Sequence, residues 1–266
     1  MIKVNGLTYS YKGINSKHDV FKNLNIEFGQ GLNAILGPNG SGKTTLLKSI
    51  FGLLKYEGAI YFGTENVTNM NRDEKAKLMS YLPQMDVEFS MLKVLEMVLL
   101  GRLPDLKQRI SDEDLNAVME TLEALNIKEL ATRNFGELSG GQKKLVFIAQ
   151  TLVRDPKIIL LDEPVNSLDL QKQLELCDLL QNIVERKNIS IIVVLHDINL
   201  AARYARRLFV IDGNGSLYSS GTPKEVVTET MLREVYGVIA TLNYDDKETP
   251  TISPICSARK VQDEEI

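Results

Sequence analysis

The first part of the chain alternates apolar and polar residues, the pattern of β-strands with one buried face. LTYSY and FKNLNIEF follow this alternation, and in the second segment Leu24, Ile26 and Phe28 share one face. LNAIL is a short uninterrupted apolar run, which predicts a fully buried strand. A helical segment, KTTLLKSIFGLL, comes next, and GAIYFG then predicts a further strand.

The pattern changes to that of amphipathic helices between Arg72 and about Glu137. RDEKAKLMS, LKVLEMVLLGR and EDLNAVMETLEAL carry apolar residues at helical spacing, and Ser111 precedes the last of these segments as an N-cap. We expect this mostly helical insert to separate LNAIL from the next parallel-type strand, KIILLD.

Three short apolar runs, KIILLD, ISIIVVL and RLFVID, follow the insert. The first two alternate with the helical segments LQKQLELCDLLQNIVERK and DINLAARYARR, which is typical of a doubly wound parallel sheet. Beyond Val238 the segments TLNYDD, ETPT and SPI predict a hairpin, and the charged stretch KVQDEEI predicts a frayed end. The pattern as a whole predicts an α/β fold.

Composition narrows the class of protein. A chain of 266 residues with 44% apolar residues suits one large domain, or one domain with a lobe. A net charge of −4 excludes a broad basic surface, so we expect no nucleic-acid partner. The apolar runs are far shorter than the ~18 residues of a membrane span, and the N-terminus lacks the layout of a signal peptide.

Two cysteines, Cys177 and Cys256, are too few for a disulfide framework or a zinc site. Cys177 falls on an apolar helical stripe, which predicts a packed core thiol. The members of that stripe are Leu170, Leu174, Cys177, Leu180 and Val184. We therefore expect a reduced, intracellular protein.

A glycine-rich segment joins LNAIL to the helix that follows, and it matches G-x-x-x-x-G-K-[ST], whose backbone amides cradle phosphates. Lys43 is expected to reach the β- and γ-phosphates, and the Thr44 hydroxyl to bind Mg²⁺. A chance match in such a chain is expected on the order of once in a hundred, and chance does not explain the strand–turn–helix context. We name this segment the phosphate turn; its residues are Gly37, Pro38, Asn39, Gly40, Ser41, Gly42, Lys43, Thr44 and Thr45.

Two acids and a histidine follow the later strands. Asp162 and Glu163 close KIILLD within LLDEP; Asp162 suits Mg²⁺, and Glu163 can contact a water in line with the γ-phosphate. An acidic pair after a strand is more often a cap or a solvated turn, but the phosphate turn favours the catalytic interpretation. His196 follows ISIIVVL, at the sheet edge where we expect the acids to emerge, and this favours a γ-phosphate contact over a purely structural role.

LSGGQ is a second glycine-rich candidate for anion binding. Ser139 predicts an N-cap, and Gly140 and Gly141 leave the amides of the first helical turn accessible to a phosphate; Gln142 closes the motif. Alone, this motif would be interpreted as an ordinary capped helix, whose apolar face comprises Leu145, Ile148, Ala149 and Leu152.

Three further residues are weak signals by themselves. Gln84 is a polar loop residue in SYLPQMD, and Tyr11 is a strand aromatic whose ring can stack on a nucleobase. His18 lies in the charged segment NSKHD, and we expect it in a surface loop.

The phosphate turn, Gln84, LSGGQ, LLDEP, SLD (Ser167 to Asp169) and His196, in this order, resemble the ATP-binding cassette (ABC) ATPases over nearly the whole chain. The resemblance implies an α/β fold of the P-loop NTPase type, with a mainly parallel sheet, an N-terminal antiparallel β lobe and an inserted α-helical subdomain. It implies a single ATPase domain, 1–266. Within it, residues 1–71 and 155–237 form the ATP-binding core with the β lobe, 72–154 the helical subdomain with LSGGQ, and 238–266 a C-terminal tail.

The resemblance also implies hydrolysis of Mg-ATP in a head-to-tail homodimer. Each ATP then lies between Lys43 of one subunit and Ser139 and Gly141 of the other. The further roles implied are contact with adenine for Tyr11, contact with Mg²⁺ and the attacking water for Gln84, general base for Glu163, and communication across the dimer for Asp169.

Among ABC proteins, the segments VLLGRLPDL, VLHDINLAARYARRLFVI and SSGTPKEVVTETMLREVYGV resemble importers of iron-siderophore, haem or cobalamin complexes. Two departures from the common pattern are Val165, where Thr is frequent, and KKLVFIAQTL after LSGGQ. The resemblance implies a separate membrane permease, an indirect substrate-binding protein, and a location on the cytoplasmic face of the membrane.

Proteins of other function share some of these motifs. A soluble ABC ATPase of translation or DNA repair usually has two cassettes, a long coiled coil or cysteine clusters, and this sequence has none of these. An importer or exporter subunit for another substrate remains an alternative. LSGGQ has no role in a nucleotide kinase or GTPase. The N-K-x-D motif that recognises guanine in GTPases is absent from this sequence.

Overall fold

The structure is a computed structural model that describes residues 1–12, 17–84, 90–104 and 109–258. The chain divides into two compact units. Unit 1 comprises Met1–Asn69 and Ile192–Ile266, and unit 2 comprises Met70–Ile191. The domain boundaries expected from the sequence stay a prediction.

Strands and helices follow one another along the described parts of the chain in a mixed order. Up to Asn69 the elements are β1 (Ile2–Lys12), β2 (Lys17–Phe28), β3 (Gly31–Leu36), α1 (Lys43–Phe51), β4 (Glu57–Phe62) and β5 (Glu65–Asn66). Those that follow up to Val194 are α2 (Arg72–Leu78), β6 (Met79–Leu82), α3 (Val94–Leu99), α4 (Asp112–Ala124), α5 (Gly140–Leu152), β7 (Ile158–Asp162), α6 (Leu170–Lys187) and β8 (Ser190–Val194). The remaining elements are α7 (Ile198–Tyr204), β9 (Arg207–Ile211), β10 (Leu217–Gly221), α8 (Pro223–Val226), α9 (Glu229–Tyr236), β11 (Val238–Tyr244) and β12 (Pro250–Ser257).

The N-terminal strands of unit 1 form an antiparallel sheet in the order β2-β1-β4-β5. Leu24, Ile26 and Phe28 are all buried, as the alternation predicted. The expected surface loop around His18 is wrong, because His18 belongs to β2 and pairs with Tyr11 of β1, although its side chain is exposed as expected. The predicted antiparallel β lobe is confirmed.

A second group of strands in unit 1 supports the phosphate turn. β3 is buried along its whole length and pairs in parallel with β9, which pairs antiparallel with β10. The last residues of β8 lie on the other side of β3, where Leu195 N donates to Ile35 O at 3.3 Å. The predicted buried strands LNAIL and RLFVID are therefore confirmed, and β10 is an antiparallel strand that the sequence pattern did not predict.

The C-terminal segment forms the predicted hairpin, in which β11 pairs antiparallel with β12. Asn199 of α7 holds this hairpin through one backbone residue of β12. Its Oδ1 accepts from Ile252 N at 2.7 Å, and its Nδ2 donates to Ile252 O at 3.1 Å. The expected frayed end, KVQDEEI, lies outside the described residues.

Unit 2 contains a parallel pair of strands, β6 and β7, with the register Met79↔Ile158 to Leu82↔Leu161. Helices α2, α3 and α4 confirm the predicted helical insert, but β6 contradicts the expectation that KIILLD is the next parallel strand after LNAIL. The segment MSYL is short and follows a helix directly, so its own periodicity is too brief to predict a strand. Pairing with the wholly buried β7 determines its conformation.

Helix α6 confirms Cys177 as a buried thiol, but its buried stripe differs from the predicted one. Leu170 is 70% exposed, since it stands at the first turn of the helix. The buried residues of α6 are Leu176, Cys177, Leu180 and Ile183.

The N-terminus of α4 is held by a buried charged cluster. Ser111 caps the helix as predicted, and its side chain and backbone form a reciprocal capping box with Asp114. Arg102 Nε lies 2.8 Å from Asp114 Oδ1. Hydrogen bonds from the backbone and side chain of Ser111, and then from Arg102, lower the pKa of Asp114 below its usual range.

We predict that Asp114→Asn lowers the midpoint of thermal unfolding at neutral pH. Because the pKa of Asp114 is lowered in the folded state, the ionised carboxylate stabilises the fold at pH values above its ordinary pKa of 3.8. This stabilisation is lost as the pH falls through the pKa of the folded state. The difference from wild type should therefore shrink in acid, as followed by circular dichroism. Asp112→Asn, in the exposed first turn of the same helix, is the control, and a pH-independent difference would contradict the prediction.

Candidate active site

The phosphate turn connects β3 to α1 through glycines with positive φ: 148° at Gly37, 82° at Gly40 and 96° at Gly42. A Cβ on Gly37 would lie 2.2 Å from Ile211 O, and one on Gly42 would lie 2.7 Å from Val20 Cγ1. A Cβ on Gly40 would meet nothing within 4 Å, so only its backbone angle requires glycine. The turn is therefore packed against its surroundings at both ends and open in the middle.

Lys43 lies across the phosphate turn. Its Nζ donates to Gly37 O and to Pro38 O, each at 2.8 Å. Ser41 Oγ is buried and has no hydrogen-bond partner in the part of the chain that the structure describes. Gly42, the N-cap of α1, has no side chain to cap the first-turn amides. A buried ammonium group, an unsatisfied hydroxyl and uncapped amides together fit a phosphate group.

Tyr236 of α9 supports the phosphate turn from the C-terminal part of unit 1. Burial raises the pKa of Tyr236 to about 12, and a hydrogen bond with the Gly37 backbone acts in the opposite direction. The phenol is therefore neutral across the physiological range. It joins α9 to the first residue of the turn.

Tyr11 lies beside the end of the phosphate turn. Its hydroxyl is 3.2 Å from Thr45 Oγ1, and its ring makes a perpendicular contact with that of Tyr9 at a centroid distance of 5.0 Å. Tyr11 is 43% exposed, so its ring is accessible for stacking on a base. The structure thus brings Tyr11 to the phosphate turn, and its contact with adenine stays a prediction.

In unit 2 the acids of LLDEP lie at the end of β7, next to the end of β6. Asp162 is 1% exposed and accepts from the Tyr81 hydroxyl at 3.3 Å. Glu163 has a φ of 54°, and Gln84 Nε2 donates to its Oε2 at 2.8 Å. Asn166 Nδ2 donates to the same oxygen. The parallel register of β6 and β7 thus brings Gln84, Asp162 and Glu163 together.

Tyr81 and Asn166 were not predicted as site residues from the sequence. The available signals in the sequence were a tyrosine three residues before Gln84 and an amide three residues beyond Glu163. Neither residue type is unusual in a strand or a turn, so pattern alone could not identify them.

The LSGGQ motif forms the predicted cap of α5. Ser139 Oγ accepts from Gln142 N at 3.3 Å, and Gln142 Oε1 accepts from Ser139 N at 3.1 Å. A Cβ on Gly140 would meet nothing within 4 Å, so the first turn is open. Of the predicted apolar face, Ile148, Ala149 and Leu152 are buried and Leu145 is half-buried.

A cleft of about 410 Å³ lies beside this motif, within unit 2. Its walls include leucines of α5 and α6, and Lys172 stands beside Gly141. Asp169 caps α6 by accepting from Lys172 N at 2.9 Å. LSGGQ and the start of α6 therefore line one cleft, while Asp169 itself serves as a helix cap.

His196 lies just past the end of β8 in unit 1, with an exposed side chain. The next residue, Asp197, caps α7 by accepting from Leu200 N at 2.9 Å. His196 therefore stands at the carboxyl end of its strand, as expected, and its contact with a γ-phosphate stays a prediction.

The residues predicted to bind Mg²⁺ offer oxygen ligands of the kind this ion prefers: the Thr44 hydroxyl, the Gln84 amide oxygen and the Asp162 carboxylate. Thr44 belongs to unit 1, and Gln84 and Asp162 belong to unit 2. A single carboxylate and neutral oxygen donors are ligand types that fit an ion which also binds phosphate oxygens. Among the described residues, no group of three or more His, Cys, Asp or Glu side chains could hold a metal ion.

No helix in the described ranges has both the length and the apolar character needed to cross a membrane.

Comparison with known proteins agrees with this geometry. The model of a family described as ABC transporter matches residues 21–166. The iron(3+)-hydroxamate import ATP-binding protein FhuC of Bacillus subtilis (strain 168) is 34% identical over 241 residues, covering 89% of this chain and 88% of that protein.

Two solved structures are similar over most of the chain. A metal-chelate type ABC transporter in an inward-facing conformation has a TM-score of 0.82 at 26% identity, covering 96% of this chain and 97% of that one. A dimeric ATP-binding cassette in a post-hydrolysis state, bound to ADP and Pi, has a TM-score of 0.73 at 29% identity, covering 84% and 98%. These structures confirm the predicted P-loop NTPase fold. The chain belongs to the ABC transporter family and is an ATPase of that family.

Proposed function

We propose that this protein is the ATP-hydrolysing subunit of an importer. It couples Mg-ATP binding and hydrolysis in a head-to-tail homodimer to uptake of a metal chelate, of the iron-siderophore, haem or cobalamin type, through a separate membrane permease. The observation that carries the proposal is the presence in one chain of the phosphate turn and the open, Ser139-capped turn of LSGGQ. The names of the FhuC relative and of the metal-chelate type transporter support the class of cargo.

In unit 1 the phosphate turn holds the nucleotide. The Lys43 ammonium group, which lies over the carbonyls of Gly37 and Pro38, binds the β- and γ-phosphates, and the uncapped amides of α1 bind the same oxygens. Tyr11 stacks on the adenine. Thr44, Gln84 and Asp162 would hold Mg²⁺, and the ion would supply positive charge to the phosphate oxygens.

Glu163 activates the attacking water. Its carboxylate accepts the proton of the water as the water attacks the γ-phosphate, and the bond between the γ-phosphorus and the β-phosphate oxygen breaks so that ADP leaves. Gln84 orients the water and contacts Mg²⁺, and His196 contacts the γ-phosphate. General-base assistance of this kind is typically worth ~10²–10⁴ in rate.

The LSGGQ turn acts on the nucleotide of a second copy of the chain. Ser139, Gly140 and Gly141 present a capped helix start whose amides are accessible to an anion. Closure of the dimer brings this turn of one subunit onto the γ-phosphate bound by the other, with Gln142 holding the cap. Asp169 transmits the state of one site to the other.

The permease binds an apolar surface of unit 2. Several large apolar side chains between residues 90 and 110 are exposed, among them Met91 at 83% and Leu103 at 58%. Exposed apolar groups that gather along one segment mark interaction surfaces. Through this contact the protein is peripheral to the cytoplasmic face of the membrane, and a substrate-binding protein acts with it indirectly.

The alternative is an ABC ATPase that is not coupled to transport, or one that serves another substrate.

We predict that Lys43→Ala weakens ATP binding by roughly 10- to 100-fold, the equivalent of losing a hydrogen bond to a charged group. Calorimetric titration with Mg-ATP measures the affinity, and circular dichroism checks the fold. Lys48→Ala, in the last turn of the same helix α1, is the matched control and should bind ATP as wild type does. Near wild-type hydrolysis by Lys43→Ala would refute the assignment of the phosphate turn.

We predict that Glu163→Gln slows turnover by ~10²–10⁴ because the amide cannot accept a proton. ATP still binds, so the closed dimer should persist and elute as an ATP-dependent dimer in gel filtration, absent with ADP. Adding Ser139→Arg to this variant should return it to a monomer that still binds ATP. Normal turnover of Glu163→Gln, or a dimer in the double variant, would contradict the proposed mechanism.

We predict that Leu103→Asp abolishes co-purification with the permease, whose gene we expect beside the gene for this protein. A charge on the apolar surface must be desolvated when the permease binds. Leu53→Asp is the matched control, since Leu53 is 57% exposed in unit 1. An unchanged gel-filtration volume and an unchanged melting temperature of Leu103→Asp would exclude misfolding. If this variant still co-purified with the permease, the docking surface would lie elsewhere.

A further inference from the structure

The side chain of Asn166 is directed at the carboxylate of Glu163. Its Nδ2 donates to Glu163 Oε2, the oxygen that also accepts from Gln84 Nε2 at 2.8 Å. Glu163 is 9% exposed, so its carboxylate depends on protein donors rather than on bulk water. Two amides thus hold one oxygen of a buried carboxylate.

The turn that carries Asn166 does not need this side chain for its closure. Backbone bonds already close it, from Asn166 N to Glu163 O at 3.3 Å and from Leu168 N to Val165 O at 3.2 Å. The turn also holds Glu163 and Ser167 at positive φ, 54° and 65°, a conformation that costs non-glycine residues roughly 1–3 kcal/mol. Residues held in such conformations cluster at active sites and ligand-binding turns.

We infer that Asn166 is a positioning residue that fixes the direction of the Glu163 carboxylate for proton acceptance. This inference rests on the proposed role of Glu163 as the base. Holding Oε2 fixes the plane of the carboxylate and therefore the direction of Oε1. Gln84 also has the proposed roles of contacting Mg²⁺ and the attacking water, whereas Asn166 lies in the same turn as Glu163 and has no other proposed role.

The test uses two substitutions at this position. Asn166→Asp keeps the shape of the side chain but replaces the donor by an acceptor and places a second carboxylate beside Glu163. Asn166→Leu removes the donor without adding charge. Each should lower kcat of the full-length ATPase by roughly 10- to 100-fold, as expected for a misplacement of about 1 Å. KM for ATP should stay within about twofold, since the phosphate-binding groups are unchanged.

The chain offers a matched control. Asn134 Nδ2 donates to Glu137 Oε1 at 2.7 Å, so the same residue types are paired over the same three-residue spacing on an exposed surface. Asn134→Asp should leave kcat unchanged. Loss of activity in this control as well would overturn a specific role for Asn166.

A double variant separates positioning from mere stability. In the Glu163→Gln background, Asn166→Asp should cause no further loss of turnover, because Asn166 acts through the carboxylate. An equal loss in both backgrounds, wild-type kcat in both Asn166 variants, or a rise in KM with kcat unchanged would each overturn the inference. If melting shows that Asn166→Asp is unfolded, the kcat of Asn166→Leu decides.

The same experiments distinguish failure of this inference from failure of the proposed function. An inactive Glu163→Gln together with a wild-type Asn166→Asp would leave the base in place and remove the positioning role. An active Glu163→Gln would remove both.

Discussion

The parallel register of β6 against β7 is the constraint on which the acidic part of the site depends. Tyr81 pairs with Leu160 and Leu82 with Leu161. This register places Tyr81 beside Asp162, and Gln84 beside Glu163. A shift by one residue would turn every side chain of β6 to the opposite face. Four residues of strand therefore determine which donors reach the two acids.

The parts of the site that depend on local chemistry were predictable from the sequence. The phosphate turn, the Ser139 cap and the buried strand that ends in Asp162 each follow from residues close together in the chain. The strand β6 was not predictable, because four residues without clear alternation acquire their conformation from pairing with β7. Asn166 was missed for a related reason, since its partner becomes apparent only when the turn is built.

The glycines of the phosphate turn have a second function that the motif does not reveal. In the motif these glycines let backbone amides cradle phosphates. The structure adds that Gly37 packs against the Ile211 carbonyl and Gly42 against Val20 and Phe21. A side chain at either position would clash with these neighbours even without a bound nucleotide. The turn is therefore preformed by packing, which reduces the ordering that a ligand must otherwise impose.

The clamp of Asn199 on the hairpin has a consequence for association between chains. A single amide pairs with both the N–H and the C=O of Ile252, the two groups that a neighbouring strand would otherwise engage. Unpaired strand edges are templates on which another chain can add a strand. With a helix side chain in that place, growth of a sheet along β12 is stopped at Ile252. The amide thus protects this edge of the folded hairpin from pairing with another chain.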